Sequence, residues 1–411
     1  GAVLADFDLG PNEVANFVFE VATQDPHSDD EEREYVERSL GETMRFWRDW
    51  VRQGTYPKRW REMVVRSALT MKMLCSTRTG GIAAAATFGL PEEIGGERNW
   101  DYRFTWIRDA SLTAASLASL GFTDELSAYI RWLEDRYADS DQNGQLQIMY
   151  GIDGRKDLSE QTLDHLEGYR GSSPVRIGNG AYNQLQIDIY GELMVALDAY
   201  DRLAQPISHD LWTQVTHSVN WICNNWQRKD EGVWEVRGGQ REFLYSRLMS
   251  WVALDRAIRI SDRRGLPAGM INWRAVRDDI YREVFDHFWN DDLAAFVQYR
   301  DGATLDASCL LMPLLGLVSP TDPKWLSTLD AIGETLVDGA FVYRYRTTDA
   351  ASDGLAGSEG TFTMCSFWYA ECLARAGRLD EARGFFEILH GFSSTLGMFS
   401  EELSAGGVAL G

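Results

Sequence analysis

Two carboxylate positions lie in surroundings that suit acid–base chemistry. Glu235 follows Trp234 and precedes a glycine pair in EGVWEVRGGQREF (231–243). Beside an indole in a partly dry loop the charged form of a carboxylate is disfavoured, which suits a general acid. A second position, the pair Glu401 and Glu402, follows an apolar turn near the end of the sequence, although such a pair is also typical of a solvated helix start.

Two carboxylates brought to one pocket from distant parts of a chain are what the cleavage of a glycosidic bond requires. One protonates the leaving oxygen, and the other attacks the sugar or activates a water molecule. A separation of about 5 Å is typical of retention, and one of roughly 6.5–9.5 Å of inversion. The sequence alone leaves that separation open.

A third stretch could form the wall of a sugar site. Aromatic residues alternate along NWDYRFTWIRDA (99–110), at Trp100, Tyr102, Phe104 and Trp106. Arg108 and Asp109 follow directly. The alternation also fits a core strand, and Asp109 is a good N-cap for the helix that follows.

A fourth stretch combines an arginine with a carboxylate. Arg344 or Arg346 could donate hydrogen bonds to sugar hydroxyls, and Glu359 lies in a glycine-rich loop before an apolar helix. Glu359 could equally be part of a helix-entry loop. These residues complete the set from which a polar ligand site could be built.

Composition excludes several classes of function. The formal net charge of −22 makes a nucleic-acid or anionic-membrane partner unlikely, because both need a basic surface. No apolar run approaches the length of a membrane span. The six histidines are isolated and no zinc, serine-nucleophile or phosphate-loop motif occurs, so neither a metal nor an organic cofactor is expected. Nothing in the sequence indicates an oligomeric state.

Hydrophobic periodicity predicts an all-α protein of about a dozen helices. Helices apolar around most of their circumference alternate with helices that carry one apolar stripe, which predicts an inner ring wrapped by an outer ring in an (α/α)6 toroid. An ordinary multi-helix array is the alternative. The expected helices are 31–53, 58–74, one after Asp109, 123–139, 181–203, 207–227, 240–264, 270–288, 304–318, 322–337, 361–377 and 379–394.

The ends of the sequence predict the domain organisation. We expect 1–20 to be a linker or the tail of a preceding β-sandwich domain, and 21–411 to be the helical domain. The last residues stop without a closing helix, so the helical domain is expected to be trimmed at both ends. No signal peptide opens the sequence, which predicts a cytoplasmic location.

Four ordered motifs resemble glycoside hydrolase family 15, which contains glucoamylases, glucodextranases and bacterial trehalases. They are GGERNWDYRFTWIRDASL, the stretch from GIDGRKDLSEQ to IDIYGEL, GVWEVRGGQREFLYSRLMSWVALDRAI and EGTFTMCSFWYAECLARAGRLDEAR. The resemblance covers roughly residues 35 to 404. It implies an (α/α)6 toroid and hydrolysis of a terminal α-glucosidic bond with inversion of configuration.

The resemblance also implies roles for individual residues. Glu235 matches the family's general acid and Glu401 its general base, with Glu402 as a rival because the family's Tyr-Asp after the base is Leu-Ser here. The remaining matches imply contacts with the terminal glucose or its attacking water. They are Tyr102, Trp106, Arg108, Asp109 and Arg344, with Arg346 competing for the place of Arg344. Trp234, beside Glu235, and Glu359, in its glycine-rich loop, are predicted as further substrate contacts from their positions in the sequence.

The sequence therefore predicts an inverting exo-α-glucosidase of glucoamylase type that releases glucose from α-glucosides. An α,α-trehalase on the same scaffold is the first alternative. A sugar-binding module without catalytic activity is the second. No metal or cofactor is implied for the bond cleavage.

Overall fold

A computed structural model describes residues 4, 6–17, 29–138, 144–346, 354 and 359–411. The described chain divides into two compact units, Gly1–Thr55 and Tyr56–Gly411. The domain boundary expected at residue 20 lies outside the described residues and stays a prediction.

Helices dominate the structure, as the periodicity predicts. The first unit contains α1, Asp29–Gln53. The helices of the second unit within the described residues are α2 Arg61–Leu74, α3 Ile107–Ser119, α4 Thr123–Ala138, α5 Ile189–Ala199, α6 His209–Asn225, α7 Leu244–Arg264, α8 Met270–His287, α9 Leu311–Leu315, α10 Pro323–Thr335, α11 Thr363–Arg375 and α12 Leu379–His390. A π-helical turn, Tyr200–Ala204, extends α5, and a 3-10 turn, Ala307–Leu310, precedes α9.

The inner helices of the second unit form a consecutive series. Helix α3 packs against α5, α5 against α7, and α7 against the 3-10 turn before α9, which also contacts α11. Helices α5 and α7 are buried around most of their circumference. They are two of the segments whose continuous apolar character fits an inner position.

Each of three outer helices packs against one helix of this series. Helix α4 lies against α3, α8 against α7, and α12 against α11. Helix α12 buries Ala382 and Leu389 and leaves its charged residues outside, which is the stripe expected of a peripheral helix. Asp322 caps α10 by accepting from the N–H groups of Lys324 and Trp325.

Short strands lie in the loops between the helices. They are β1 Phe88–Pro91, β2 Asn99–Asp101, β3 Thr105–Trp106, β4 Met149–Tyr150, β5 Gln161–Thr162, β6 Arg176–Ile177, β7 Trp289–Asn290, β8 Ala295–Phe296, β9 Val337–Asp338, β10 Phe341–Val342, β11 Thr361–Phe362, β12 Glu402–Leu403 and β13 Ala409–Leu410. All pair antiparallel, and β12 lies between β11 and β13. This small sheet joins the loop before α11 to the predicted base.

Asp109 is not the N-cap that its position suggested. Helix α3 already begins at Ile107, and the capping residue is Trp106, which has extended backbone angles. Asp109 therefore lies in the first turn of α3, where a carboxylate is favoured by the helix dipole. Its side chain does not cap the helix and is available to the cavity described below. Among the described residues, no helix is long and apolar enough to cross a membrane.

Candidate active site

A cavity of about 1200 Å³ opens in the second unit, and its walls come from loops far apart in the sequence. Residues from the β2–β3 stretch, the turn before α7, the loop before α11 and the segment before β12 all contribute. Eight of the predicted site residues line it: Tyr102, Trp106, Arg108, Asp109, Trp234, Glu235, Arg344 and Glu401.

The aromatic alternation that suggested a core strand is divided between the interior and the cavity. Phe104 is buried away from the cavity, whereas Trp100, Tyr102 and Trp106 line it. The stretch is two short strands, β2 and β3, and not one continuous strand. Phe104 has the burial that the core interpretation predicts, but it lies between β2 and β3 and in neither strand.

Glu235 is held in one orientation by donors on a single carboxylate oxygen. The indole N–H of Trp106 donates to Glu235 Oε1 at 2.7 Å, and Arg108 Nη2 donates to the same oxygen at 3.4 Å. The backbone at Glu235 has a left-handed φ of 56°, and Gln184 Nε2 donates to its carbonyl at 3.3 Å. Because Oε1 already accepts two hydrogen bonds, a proton on this carboxyl group belongs on Oε2.

Arg108 and Asp109 form the polar end of the cavity. Arg108 donates to the Val233 carbonyl at 3.1 Å and lies 3.2 Å from Asp109 Oδ2. Within the described residues, that buried Asp109 oxygen accepts no hydrogen bond. Because Oδ2 is buried beside Arg108 while the side chain as a whole is 37% exposed and lines the cavity, the other oxygen of Asp109 is the one that can accept from a ligand hydroxyl.

Nearby carboxyl groups, some of them fully buried, stabilise the charged form of the Arg108 guanidinium. The negative charges of Asp109 and Glu235, and after them that of Asp188, favour its charged form. Burial raises the pKa of Asp188 to about 6, and that of Asp230, close by, to about 8. Within the described residues neither oxygen of Asp188 has a hydrogen-bond partner. Asp188 therefore contributes to the site through charge and not through contact.

Glu401 lines the cavity close to the hydroxyl of Tyr102. Its backbone carbonyl accepts from the N–H of Thr363 at 2.9 Å, at the start of α11. Burial and the negative charge of Glu92 raise the pKa of Glu401 to about 7, while Arg344 and a hydrogen bond from Tyr102 oppose the rise. Burial and the neighbouring charge of Glu401 raise the pKa of Tyr102 well above its usual range, so Tyr102 remains a donor.

Glu402 faces away from the cavity. It is fully buried, and its Oε2 accepts from the backbone N–H of Gly360 at 2.8 Å. Burial is the main cause that raises the pKa of Glu402 to about 9. Glu402 is therefore protonated at neutral pH and does not contact the space where a ligand would bind. The pair is not a solvated helix start, because it spans the beginning of β12.

Arg344 lies in a cluster of carboxylates. Its Nη2 forms an ion pair with Glu359 and lies 3.8 Å from Glu402 Oε1 and 4.0 Å from Glu92 Oε2. Arg98 Nη1 lies 3.4 Å from Glu92 and from Glu359. Side-chain oxygens of Glu92, Glu359 and Glu402 lie within 4.8 Å of one another. A guanidinium already occupies the position that a cation would take, so these residues do not fit a metal site.

The structure separates the two candidates for the substrate-binding arginine. Arg344 lines the cavity and lies over the rings of Trp234 and Phe362, at 5.3 and 5.0 Å from their centroids. Arg346 lies over Tyr343 and donates to the carbonyl of Thr335, away from the cavity.

Glu359 and Trp234 have different relations to the cavity. The Glu359 side chain is 2% exposed and does not line the cavity, because its carboxylate forms ion pairs with Arg98 and Arg344 in the interior. A direct contact with a sugar, as predicted from the position of Glu359 in the sequence, would need these ion pairs to break. Trp234 lines the cavity, and its indole N–H donates to both oxygens of Asp306, at 3.0 and 2.9 Å.

Several cavity residues escaped the sequence analysis. Glu92 lies in a Pro-Glu-Glu segment that reads as a solvated loop, and its burial arises from Trp100, whose N–H donates to it at 2.7 Å, and from two arginines. Asn179 and Arg237 also line the cavity. Arg237 could have been identified from the sequence, because it stands two residues after the predicted acid Glu235.

The helical fold and two carboxylates facing one cavity are an arrangement that the hydrolysis of a glycosidic bond can use. The sequence pattern described as glycosyl hydrolases family 15 matches residues 58–405, and the chain belongs to that family. The predicted fold class, an all-α (α/α)6 toroid, is confirmed by similar solved structures. A bacterial glucoamylase complexed with acarbose is 16% identical with a TM-score of 0.68, covering 93% of this chain and 58% of that one. A glucoamylase from Saccharomycopsis fibuligera is 14% identical with a TM-score of 0.61, covering 85% and 90%.

Curated proteins with similar sequences are named as trehalases. A trehalase of Thermoplasma volcanium is 40% identical over 89% of this chain and 57% of its own length. One of Mycobacterium tuberculosis is 38% identical over 89% and 54%, and one of Thermoplasma acidophilum is 37% identical over 98% and 68%. The chain thus spans little more than half the length of two of these relatives.

Proposed function

We propose that this protein is an α,α-trehalase that cleaves its substrate with inversion. The observation that carries the choice of substrate is the description of the curated relatives, which are trehalases at 37–40% identity over most of this chain. A glucoamylase-type α-glucosidase, the leading prediction from the sequence, becomes the alternative. Its support is the likeness in fold to glucoamylases.

We assign Glu235 as the general acid and Glu401 as the general base. Glu235 gives its Oε2 proton to the oxygen between the two glucose units as the bond from that oxygen to the anomeric carbon breaks. A water molecule attacks the anomeric carbon from the opposite face and gives a proton to Glu401. Glu401 then returns this proton to solvent, and Glu235 takes one up, which restores both groups.

The other cavity residues position the reacting atoms in this proposal. Arg108 and Asp109 bind hydroxyls of the attacked glucose against the ring of Trp106. Tyr102 donates to Glu401 and so orients the base toward its water molecule. In this proposal the side chains named above carry the bond cleavage without a metal or organic cofactor.

A pH dependence follows from the buried position of Glu401. Its pKa of about 7 means that the base loses its charge as pH falls through neutrality. Because only the ionised form accepts a proton, kcat/KM is expected to decline below about pH 7.

The test is glucose release by the purified full-length protein from trehalose, maltose, isomaltose and maltooligosaccharides. The proposal expects trehalose to have the highest kcat/KM. A preference for maltose or longer oligosaccharides would support the glucoamylase alternative instead. Release from none of them would leave the sugar-binding module as the better description.

The stereochemistry of fresh product tests the mechanism separately. Inversion at one glucose of α,α-trehalose yields one β-glucose, while the departing glucose keeps its α configuration. NMR spectra recorded before mutarotation should therefore show the two anomers in equal amounts. Product that is entirely α-glucose would reject inversion.

A further inference from the structure

We propose that Arg237 binds the hydroxyl groups of the departing glucose and thereby selects the disaccharide that is cleaved. This inference rests on the proposed function, because it assigns the second sugar-binding position of the same cavity. Three observations carry it: the position of Arg237 relative to Glu235, the support of its guanidinium, and the donors that remain available.

The position of the general acid determines where the departing sugar lies. Glu235 protonates the oxygen that joins the two glucose units, so the departing unit lies on the side of the cavity next to Glu235. Arg237 follows Glu235 by two residues in the same loop, and both line the cavity. Gln184 Nε2 donates to the carbonyls of Glu235 and Val236, which fixes the backbone that carries Arg237.

The guanidinium of Arg237 is supported by a ring and a carboxylate. It lies over the indole of Trp100, 4.6 Å from the ring centroid, and Nη2 donates to Glu160 Oε2 at 3.2 Å. Arg176 lies over the same indole at 4.9 Å and pairs with Glu160 at 3.4 Å.

The ring itself is held in place, since the Trp100 N–H donates to buried Glu92 at 2.7 Å. Trp100 is therefore a positioning residue that orients Arg237. A guanidinium that is already fixed before a ligand binds loses less conformational entropy on binding.

Arg237 retains donors that can face a ligand. A guanidinium carries five N–H donors in a planar fork. Within the described residues, Glu160 is the one hydrogen-bond acceptor of the Arg237 side chain, which is 33% exposed. By contrast, Arg344 is paired with Glu359 and lies near two further carboxylates. Neutral hydroxyls of a sugar fit the remaining Arg237 donors.

A fixed guanidinium at this position can distinguish disaccharides. The departing glucose of trehalose is attached through its anomeric carbon, whereas that of maltose is attached through carbon 4. The hydroxyls beside the shared oxygen therefore differ in arrangement. Hydrogen-bond donors held in one orientation favour one arrangement over the other.

The experiment compares two substrates of the Arg237→Ala variant. Trehalose has a departing glucose, whereas α-glucosyl fluoride presents the same attacked glucose with fluoride in its place. We expect kcat/KM for trehalose to fall at least ~10-fold, the effect of losing hydrogen bonds from a charged donor. The loss should not extend to the fluoride, whose hydrolysis also reports that the variant is folded.

Two further variants sharpen the comparison. Arg241→Ala removes an arginine from the same loop, where Arg241 forms a backbone bridge with Asp230. Arg241 lies over Tyr299 and does not line the cavity, so its removal should leave both substrates unaffected. Arg237→Lys keeps the charge but loses the fork, and it should reduce trehalose hydrolysis by less than Arg237→Ala. Equal losses on both substrates, or no loss on either, would overturn the proposal for Arg237.

The result that would reject the proposed function differs from the result that would reject the role of Arg237. A wild-type protein that hydrolyses α-glucosyl fluoride but not trehalose would reject the trehalase assignment. The role of Arg237 is then tested with the disaccharide that the wild-type protein does cleave. A selective loss on that disaccharide would support the role, and equal losses on it and on the fluoride would overturn it.

Discussion

At the scale of single residues, the orientation of Glu235 determines what its removal should do. Trp106 and Arg108 both donate to Oε1, so the transferable proton is assigned to Oε2. The Glu235→Gln variant cannot give up this proton. We expect kcat on trehalose to fall at least ~100-fold, the lower end for general acid catalysis.

The nature of the leaving group provides the control for this prediction. Fluoride departs without needing a proton, so α-glucosyl fluoride should lose much less activity in the same variant. Steady-state kinetics on both substrates make the comparison. Similar losses on the two would mean that Glu235 binds the sugar and does not protonate the departing oxygen.

Glu401 and Glu402 differ in position and in charge, and their variants should differ accordingly. Glu401→Gln removes the ionised group that faces the cavity, so hydrolysis should fall at least ~100-fold while glucose binding remains. Glu402 has a pKa of about 9 and is protonated at neutral pH. Glutamine imitates a protonated carboxyl group and can still accept from the N–H of Gly360, so Glu402→Gln should keep most of the activity.

Kinetics and isothermal titration with glucose measure the two effects. The reverse pattern, in which Glu402→Gln alone abolishes hydrolysis, would place the base one residue later. Neither result depends on the assignment of trehalose, because any α-glucoside that the wild-type protein cleaves can serve as substrate.

At the scale of elements, close packing between two inner helices supports the loops of the site. An ideal Cβ at Gly191 in α5 would lie 2.5 Å from the carbonyl oxygen of Met249 in α7 and 2.7 Å from its Cβ. The first turn of α7 follows the turn that carries Glu235. A larger side chain at Gly191 must therefore push two inner helices apart.

The Gly191→Ala variant should lower the free energy of unfolding by ~1–3 kcal/mol, as overpacking does in a tight core. Gly384 in α12 is the matched control, since nothing lies within 4 Å of its ideal Cβ. Gly384→Ala should raise stability by ~0.5–1 kcal/mol, because alanine favours a helix over the unfolded chain. Urea-induced unfolding measures both, and a loss in both variants would contradict the packing argument.

The sequence predicted these elements unevenly. Long periodic helices were predicted well, as the 240–264 prediction against α7 at Leu244–Arg264 shows. Strands of two residues, such as β3 and β12, carry no measurable alternation and were not predicted. The cap at Asp109 was misplaced because Trp106 begins the helix without a side-chain hydrogen bond, a start that no capping pattern marks.

At the scale of the whole molecule, buried carboxyl groups couple folding to pH. Folding raises the pKa of Asp188 to about 6, of Glu401 to about 7 and of Asp230 to about 8, in each case mainly through burial. A carboxyl group whose pKa is raised by folding stabilises the folded state below its unfolded pKa. That stabilisation is lost as pH rises through the folded value.

Thermal stability should therefore decrease as pH rises from about 5.5 to about 8.5. The formal net charge of −22 at pH 7 acts in the same direction through self-repulsion. Differential scanning fluorimetry across this interval measures the slope. Asp230→Asn, which imitates the neutral form, should flatten the slope, whereas Asp153→Asn in an exposed loop should leave it unchanged. A Tm that rises over this pH interval would contradict the prediction.

The sequence by itself determined the helical architecture and predicted the central site residues. Periodicity specifies which face of a helix is apolar, and Trp106, Arg108, Asp109 and Glu235 stand in short contiguous motifs that can be recognised without a structure. Glu401 belongs to this set, although its neighbour remained a rival for the same role.

Only the tertiary structure decided which glutamates from separate loops face the cavity and which are buried together. Glu92, Glu359 and Glu402 come together around Arg344, and Glu401 alone of the last pair faces the cavity. Burial and the charge of neighbours govern whether a carboxyl group is ionised, and here those neighbours lie far away in the sequence. That information exists only once the chain has folded.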